Sequence, residues 1–197
     1  RNVVQNAAFR TAVHNTAVFS AIAVPLAVVL SLLLAIVLES KLPFRSQFRT
    51  FFLSPMMVPV ASIVLIWQVL FHYNGAVNDL LGVFGIEKID WLKSSYSIIV
   101  IVILFLWKNL GYNMILFMAA LQSIPTDILE AARIDGASTG QIFKYIQIPA
   151  IMLMVDFVLF DNIRGALQVF DIPFVMTAGG PGYASSTFTL YLSLIHI

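Results

Sequence analysis

The sequence predicts an all-α protein, a polytopic bundle of membrane-spanning helices. Three observations predict it. Of 197 residues, 60% are hydrophobic and only 11% charged, with a mean hydropathy of +0.93; a soluble domain carries about 25% charged residues. Four stretches each supply the roughly 20 mostly apolar residues that a spanning helix needs. The polar residues gather between those stretches. This composition excludes a disordered chain, a nucleic-acid binder and an ordinary cytosolic enzyme. The absence of cysteine excludes disulfides, thiol catalysis and cysteine metal sites.

The expected spans are 12–38, 50–71, 96–121 and 148–170, and a fifth begins near Phe188. Pro25, Pro55 and Pro59 fall inside them. Proline is tolerated there because neighbours satisfy the freed carbonyl. Each reads as a packing kink or as a hinge in a conformational cycle. The connection 39–49 is short and basic. The connection 72–95 carries Asn74-Gly75 and Trp91, which predicts loops and small interfacial helices. Residues 171–187 read as a glycine-rich loop.

Lys and Arg in short loops set orientation. The 39–49 and 122–147 connections hold Lys41, Arg45, Arg49, Arg133 and Lys144; the 72–95 and 171–187 connections hold only Lys88 and Lys93. The first pair is therefore expected in the cytoplasm, although Arg1 and Arg10 then fall outside. That arrangement puts Asn78 and Gly180 on the outer side.

The 122–147 connection is polar and patterned as helix. Pro125 suits a first helical turn, where its missing N–H costs nothing. Asp127 and Glu130 have capping-box spacing. Ile128, Leu129, Ala131, Ala132 and Ile134 give that helix an apolar face of small residues. Asp135-Gly136 should end it, with Gly136 free to turn left-handed. Ser138 and Gln141 are spaced as a second box, opening a helix through Phe143 and Tyr145. Two short helices at an angle are expected, with small residues that let another protein come close.

The stretch from Glu130 to Pro149, EAARIDGASTGQIFKYIQIP, resembles the EAA loop of ABC importer permeases. Glu130, Ala131, Ala132, Asp135, Gly136, Ala137, Phe143, Ile146 and Pro149 match the pattern at its spacing, and Ile148 replaces the usual leucine. LQSIP at 121–125, FRTFFLSPMMVPVASIVLIW at 48–67 and VFDIPFVMTAGGP at 169–181 are similar to the carbohydrate branch. The resemblance covers about Asn15 to Tyr191. It implies a single permease domain over 1–197 of the ABC importer type: four full spans plus a truncated fifth. The family's N-terminal span would be missing and 122–149 would be a cytoplasmic coupling loop.

The resemblance also implies a transporter subunit and not an enzyme, in a bacterial plasma (inner) membrane. Its expected partners are a second permease subunit, a cytoplasmic ABC ATPase dimer, an extracytoplasmic solute-binding protein and the lipid bilayer. ATP and magnesium would be bound by the ATPase; no phosphate-cradling GxxxxGK[ST] occurs here. Glu130, Ala131, Ala132, Asp135, Gly136 and Ala137 would couple to the ATPase. Helices around the loop would line the substrate path. Its candidates are Lys108, Asn109, Tyr112 and Asn113 on the third span, and Asp161, Asn162 and Gln168 on the fourth. Such a set offers the hydrogen bonds and aromatic face that sugars use. Thr177, Gly179, Gly180 and Pro181 would form an external turn shaping the dock for the binding protein.

Charges within spans are costly and usually functional. Asp161 and Arg164 are three apart and can pair; Asp156 lies off that face, and its role is open. An ABC permease for glycerol phosphate, an amino acid or a polyamine is the nearest alternative to a sugar permease. An ion-coupled secondary transporter using Asp156, Asp161 and Lys108 is a further one. An intramembrane aspartyl enzyme is hard to build from two aspartates on one helix. His14, His72 and His196 lack metal-ligand spacing. Leu192–Ile197 can be encoded by a transposon end used as a library adapter. They are expected to be an artefact on a truncated frame, and the chain an internal piece of a longer protein.

Overall fold

The computed structural model describes residues 6–39, 44–94, 96–180, 182–183 and 185–195. Arg1, Lys41, Pro181, His196 and Ile197, named above, lie outside the described residues. All regular structure among the described residues is helical.

Helix α1 runs unbroken over Ala7–Glu39, with Pro25 inside it. Its buried side carries Ala23, Ala27, Ser31 and Ala35, four apart. Small residues at that spacing let helix backbones approach, which matters in lipid because apolar burial alone does not drive helices together. Ser31 returns its hydroxyl to the Ala27 carbonyl at 2.5 Å, so the polar group is satisfied within the helix. This stripe packs on α5 (Ser97–Gln122) and α9 (Met152–Leu167).

The expected second span is two helices. Helix α2 covers Arg45–Met57 and α3 covers Val60–Leu70, bent by 103°. Val58 is extended (φ −92°, ψ 135°) because the ring of Pro59 excludes helical backbone from the residue before it. At about 1.5 Å per residue neither piece alone crosses the roughly 30 Å hydrocarbon core. The fourth span is also bent. A helical run over Thr139–Ala150 meets α9 at 65°, with the turn at Ile151. Among the described residues two helices are thus long and apolar enough to cross a membrane, giving two spans, or up to four if each bent pair counts as one.

Small helices fill the connections: α4 (Ala76–Val83), α6 (Thr126–Ile134), α7 (Thr139–Ile142), α8 (Ile148–Ala150) and α10 (Asp171–Thr177). Helix α10 occupies the first part of the expected glycine-rich loop. Helix α11 (Phe188–Ile195) starts where the fifth span was expected.

Two apolar clusters hold the bundle. One joins Phe19, Val64, Ile101, Phe105 and Ala166; the other joins Ala35, Met114, Phe117, Ile151 and Val158. Trp67 stacks on Phe71, which meets Trp91 edge-on, and Trp67 also tilts against Trp107. Asn78, in the connection expected on the outer side, is fully buried beside Trp91. Its amide donates to the Tyr73 and Ile89 carbonyls and accepts from the Ile89 N–H and Trp91 Nε1.

Gly111 of α5 lies against the backbone of α2: a Cβ there would overlap the Phe52 carbonyl. The bent second span is therefore wedged onto α5 at a point only glycine allows.

Candidate functional site

The loop between α5 and α9 is built by local signals. Helix α6 starts at Thr126 with Pro125 as its N-cap and no side-chain cap. The expected Asp127–Glu130 box does not form, because the helix begins before it and both residues lie inside. Asp127 then sits in the first turn and Arg133 in the last, each on the favourable end of the helix dipole. At the other end the Gly136 N–H donates to the Arg133 carbonyl (3.1 Å) and the Ala137 N–H to the Ala132 carbonyl (3.0 Å). This is the Schellman arrangement. Gly136 has φ +84°, and nothing lies within 4 Å of where a Cβ would be. Backbone conformation, not space, requires glycine there.

The second box does form. Ser138 Oγ accepts from the Gln141 N–H, and Gln141 Oε1 accepts from the Ser138 N–H at 2.8 Å. Helix α7 then widens into a π-turn over Phe143–Gln147. In an α-helix the ring of Pro149 would press on the carbonyl four residues earlier, and the wider turn relieves that clash.

Glu130, Ala131, Asp135 and Gly136 are exposed, while Ala132 and Ala137 are half-buried. Asp135, Gly136, Ala137, Gln141, Ile142, Tyr145 and Ile146 line a concavity of about 360 Å³. Beside it, Ile134 is 86% exposed and Tyr145 66%. Large apolar side chains open on a polar loop mark a contact surface.

The path candidates divide into two groups. Lys108, Asn109 and Gln168 share a cleft of about 160 Å³ with Val60, Phe105, Gly165 and Asp171. The Asn109 amide donates to the Phe105 carbonyl at 2.7 Å. Asn113 and Asn162 instead meet each other between α5 and α9. Asn113 Nδ2 donates to Asn162 Oδ1 at 3.2 Å, and Asn162 Nδ2 to the Val158 carbonyl at 2.7 Å. Both are buried. Tyr112 is half-buried. Asp161 accepts from Arg164 Nη2 at 2.7 Å, and Arg164 Nη1 reaches Gln168 Oε1 at 3.4 Å. The arginine lies on the surface of this chain and the aspartate is half-buried, so the pair is not enclosed within the bundle. Asp156 is exposed. Asp171 is the ionisable cleft residue absent from the sequence-based candidates; its place just past the expected fourth span was the available signal.

The 177–187 turn is closed by its own hydroxyls. Thr177 Oγ1 meets Ser185 Oγ at 2.6 Å, Ser185 Oγ donates to the Gly180 carbonyl, and Gly179 takes φ +83°. Asn15 Nδ2 donates to the Tyr183 carbonyl and Thr16 Oγ1 accepts from the Phe188 N–H, tying the turn to α1.

A family model described as the binding-protein-dependent transport system inner membrane component matches residues 23–190. A probable ABC transporter permease of Sinorhizobium fredii, y4oQ, is 30% identical over 191 residues, which is 96% of this chain and 62% of that protein. The trehalose/maltose transport permease MalF of Thermococcus litoralis is 37% identical over 140 residues, 70% of this chain and 48% of that one. The chain thus spans roughly half to three fifths of the length of these curated relatives. A solved bacterial ABC transporter involved in import of the acidic polysaccharide alginate contains a chain that superposes with a TM-score of 0.90. It covers 100% of this chain and 70% of its own at 20% identity, a likeness of fold.

Proposed function

The chain belongs to the family of binding-protein-dependent transport inner-membrane components, and from that premise we propose that it forms part of the translocation path of an ATP-driven sugar importer. It is a multi-pass inner-membrane protein of a permease family, not of an enzyme family. The whole assembly would need a second permease subunit, a cytoplasmic ATPase pair and an extracytoplasmic solute-binding protein. A periplasmic binding protein accompanies the alginate transporter in one solved complex.

The observation that carries the proposal is the 122–149 loop. Two capped short helices meet at a left-handed glycine and leave Ile134 and Tyr145 bare beside a concavity. Helix-in-groove docking buries apolar anchors of this kind. The ATPase would take up Ile134 and the Glu130–Ala137 face, and its closure would move the loop. Lys108, Asn109 and Gln168 would meet substrate in the cleft, with Tyr112 and Asp161 flanking it. The substrate class rests on sugar-transport relatives such as the trehalose/maltose permease and on the mix of amide, charged and aromatic groups in the cleft.

The test uses Gly136→Val and Ile134→Asp in the full-length permease with its partners. A β-branched residue at positive φ costs on the order of 1–3 kcal/mol and should re-aim the second helix. The expected result is normal membrane insertion, loss of ATPase co-purification for Ile134→Asp, and loss of ATP-driven uptake for both. Normal uptake in both variants at normal expression refutes the coupling role.

A further inference from the structure

Arg45 and Arg49 lie one turn apart on α2 and point into an open cavity of about 690 Å³ that Glu39, Ser46 and Gln122 complete. The Nε of each arginine is buried without a hydrogen-bond partner. With its amide oxygen turned toward the guanidiniums, Gln122 accepts from Arg45 Nη2 at 3.0 Å and Arg49 Nη2 at 3.3 Å. The cavity therefore holds two forked donors whose inner N–H groups are unspent. A charged donor left without a partner is unfavourable, so an anion is favoured there. Guanidinium forks fit the oxygens of a carboxylate or phosphate.

Charge narrows the choice to an anion: two guanidiniums against the single carboxyl of Glu39 leave the described lining positive. The neighbouring surface narrows it further. Phe44, Phe48 and Phe51, at the i, i+4, i+7 positions of the same segment, form an adjacent exposed apolar face. On an ideal helix it lies about 100° round from the arginines. A free phosphate has no use for that face, whereas acyl chains do. The cavity also sits where α1 and α5 end, at the polar edge of the two longest spans.

We propose that Arg45, Arg49 and Gln122 bind the phosphodiester headgroup of an anionic phospholipid, whose acyl chains lie along Phe44, Phe48 and Phe51. The site needs the membrane placement of the chain but not its coupling to an ATPase. Basic pockets at helix ends are a known form of headgroup recognition. Neither the coupling role proposed for Glu130–Ala137 nor the Lys108 cleft uses Arg45, Arg49 or Gln122.

The experiment uses the complete importer complex, stripped of co-purified lipid and placed in phosphatidylcholine nanodiscs with or without an equal part of phosphatidylglycerol. Phospholipid retained after transfer back to detergent is measured by native mass spectrometry. Wild type should retain phosphatidylglycerol over phosphatidylcholine. Arg45→Gln/Arg49→Gln should lose at least about tenfold of that retention, since hydrogen bonds to charged groups are worth about 1.5–3 kcal/mol each. Should that variant fail to assemble, Arg45→Lys/Arg49→Lys keeps the charge and removes the forks, and intermediate retention is expected. Arg133→Gln, outside the cavity, should retain lipid as wild type does, whether or not uptake survives. Equal retention of both lipids by wild type overturns the proposal. Undiminished phosphatidylglycerol on both double variants also overturns it. Displacement of the lipid by inorganic phosphate alone would assign the site to a free anion and refute the lipid.

Discussion

Replacing Asn113 or Asn162 by Leu separates an interhelical clamp from a substrate contact. Leu has the branching and heavy-atom count of Asn, so the substitution removes the polarity while adding the bulk of two methyls, an overpacking cost that the double variant carries at both sites. In Asn113→Leu the Asn162 Oδ1 loses its 3.2 Å donor while remaining buried. Stranding a buried acceptor costs about 1–3 kcal/mol. Asn162→Leu strands the Asn113 amide in the same way. The double variant strands neither group and should cost less than the sum of the singles. Interhelical hydrogen bonds in membrane proteins average about 0.6 kcal/mol and reach about 1.7, so a coupling energy in that range is expected. The assay is heat-induced loss of the intact importer complex, followed by fluorescence-detected gel filtration for wild type, both singles and the double. Sugar preference in vesicles is measured alongside. Strictly additive stability effects would refute the clamp, as would a changed sugar preference at full stability; the second result would return both amides to the substrate path.

Three further outcomes follow from the packing. Gly111→Ala places a methyl on the Phe52 carbonyl; the strain should cost about 1–3 kcal/mol and lower the melting temperature of the purified complex. Asn78→Ala removes four hydrogen bonds within the 72–95 connection, to Tyr73, twice to Ile89 and from Trp91; limited proteolysis should then cut that connection faster while the spans stay intact, and unchanged cleavage would refute its role. Single cysteines at Arg133 and Val83 test orientation, since both positions are exposed; an impermeant thiol reagent on intact cells should label position 83 and spare 133, and the reverse pattern would invert the topology.

Local signals were legible and long-range ones were not. The Gly136 turn and the Ser138–Gln141 box involve residues within five of one another, so sequence spacing is enough to write them down. The same reading misplaced a box at Asp127–Glu130, because Pro125 had already started the helix two residues earlier. Apolar length located two unbroken spanning helices and two further apolar stretches, but could not say that each of the latter is a bent pair of helices. The 103° break at Val58-Pro59 follows from a local rule, yet Pro25 obeys the same composition and sits in an unbroken helix. Packing decides between them: the α2 side of that break is wedged on Gly111. The Asn113–Asn162 contact joins residues 49 apart in sequence, and no periodicity marks it. Asn78 shows the same limit in reverse, a polar residue in a polar connection that folding nonetheless buries.

Under the proposed coupling, the position of the loop in the chain gives it a route to the cleft. Helix α5 is unbroken from Ser97 to Gln122, carries Lys108 and Asn109, and ends where the loop begins. Helix α9 starts after the loop, at Met152, and carries Gly165 and leads into Gln168. The 122–149 segment is thus the direct link between two walls of the cleft. About 20 Å of continuous helix separates Asn109 from the loop end of α5. The Asn113–Asn162 bond ties the two helices together between those points. A push on the loop would then move both walls as one body. The opposing residues, Val60 and Asp171, stand on α3 and α10, separated from their neighbours by the Pro59 break and by the non-helical stretch at Val169–Phe170. Motion would appear in the cleft as a change of spacing between these two groups. In that motion the breaks at Pro59 and at Val169–Phe170 would be the hinge points.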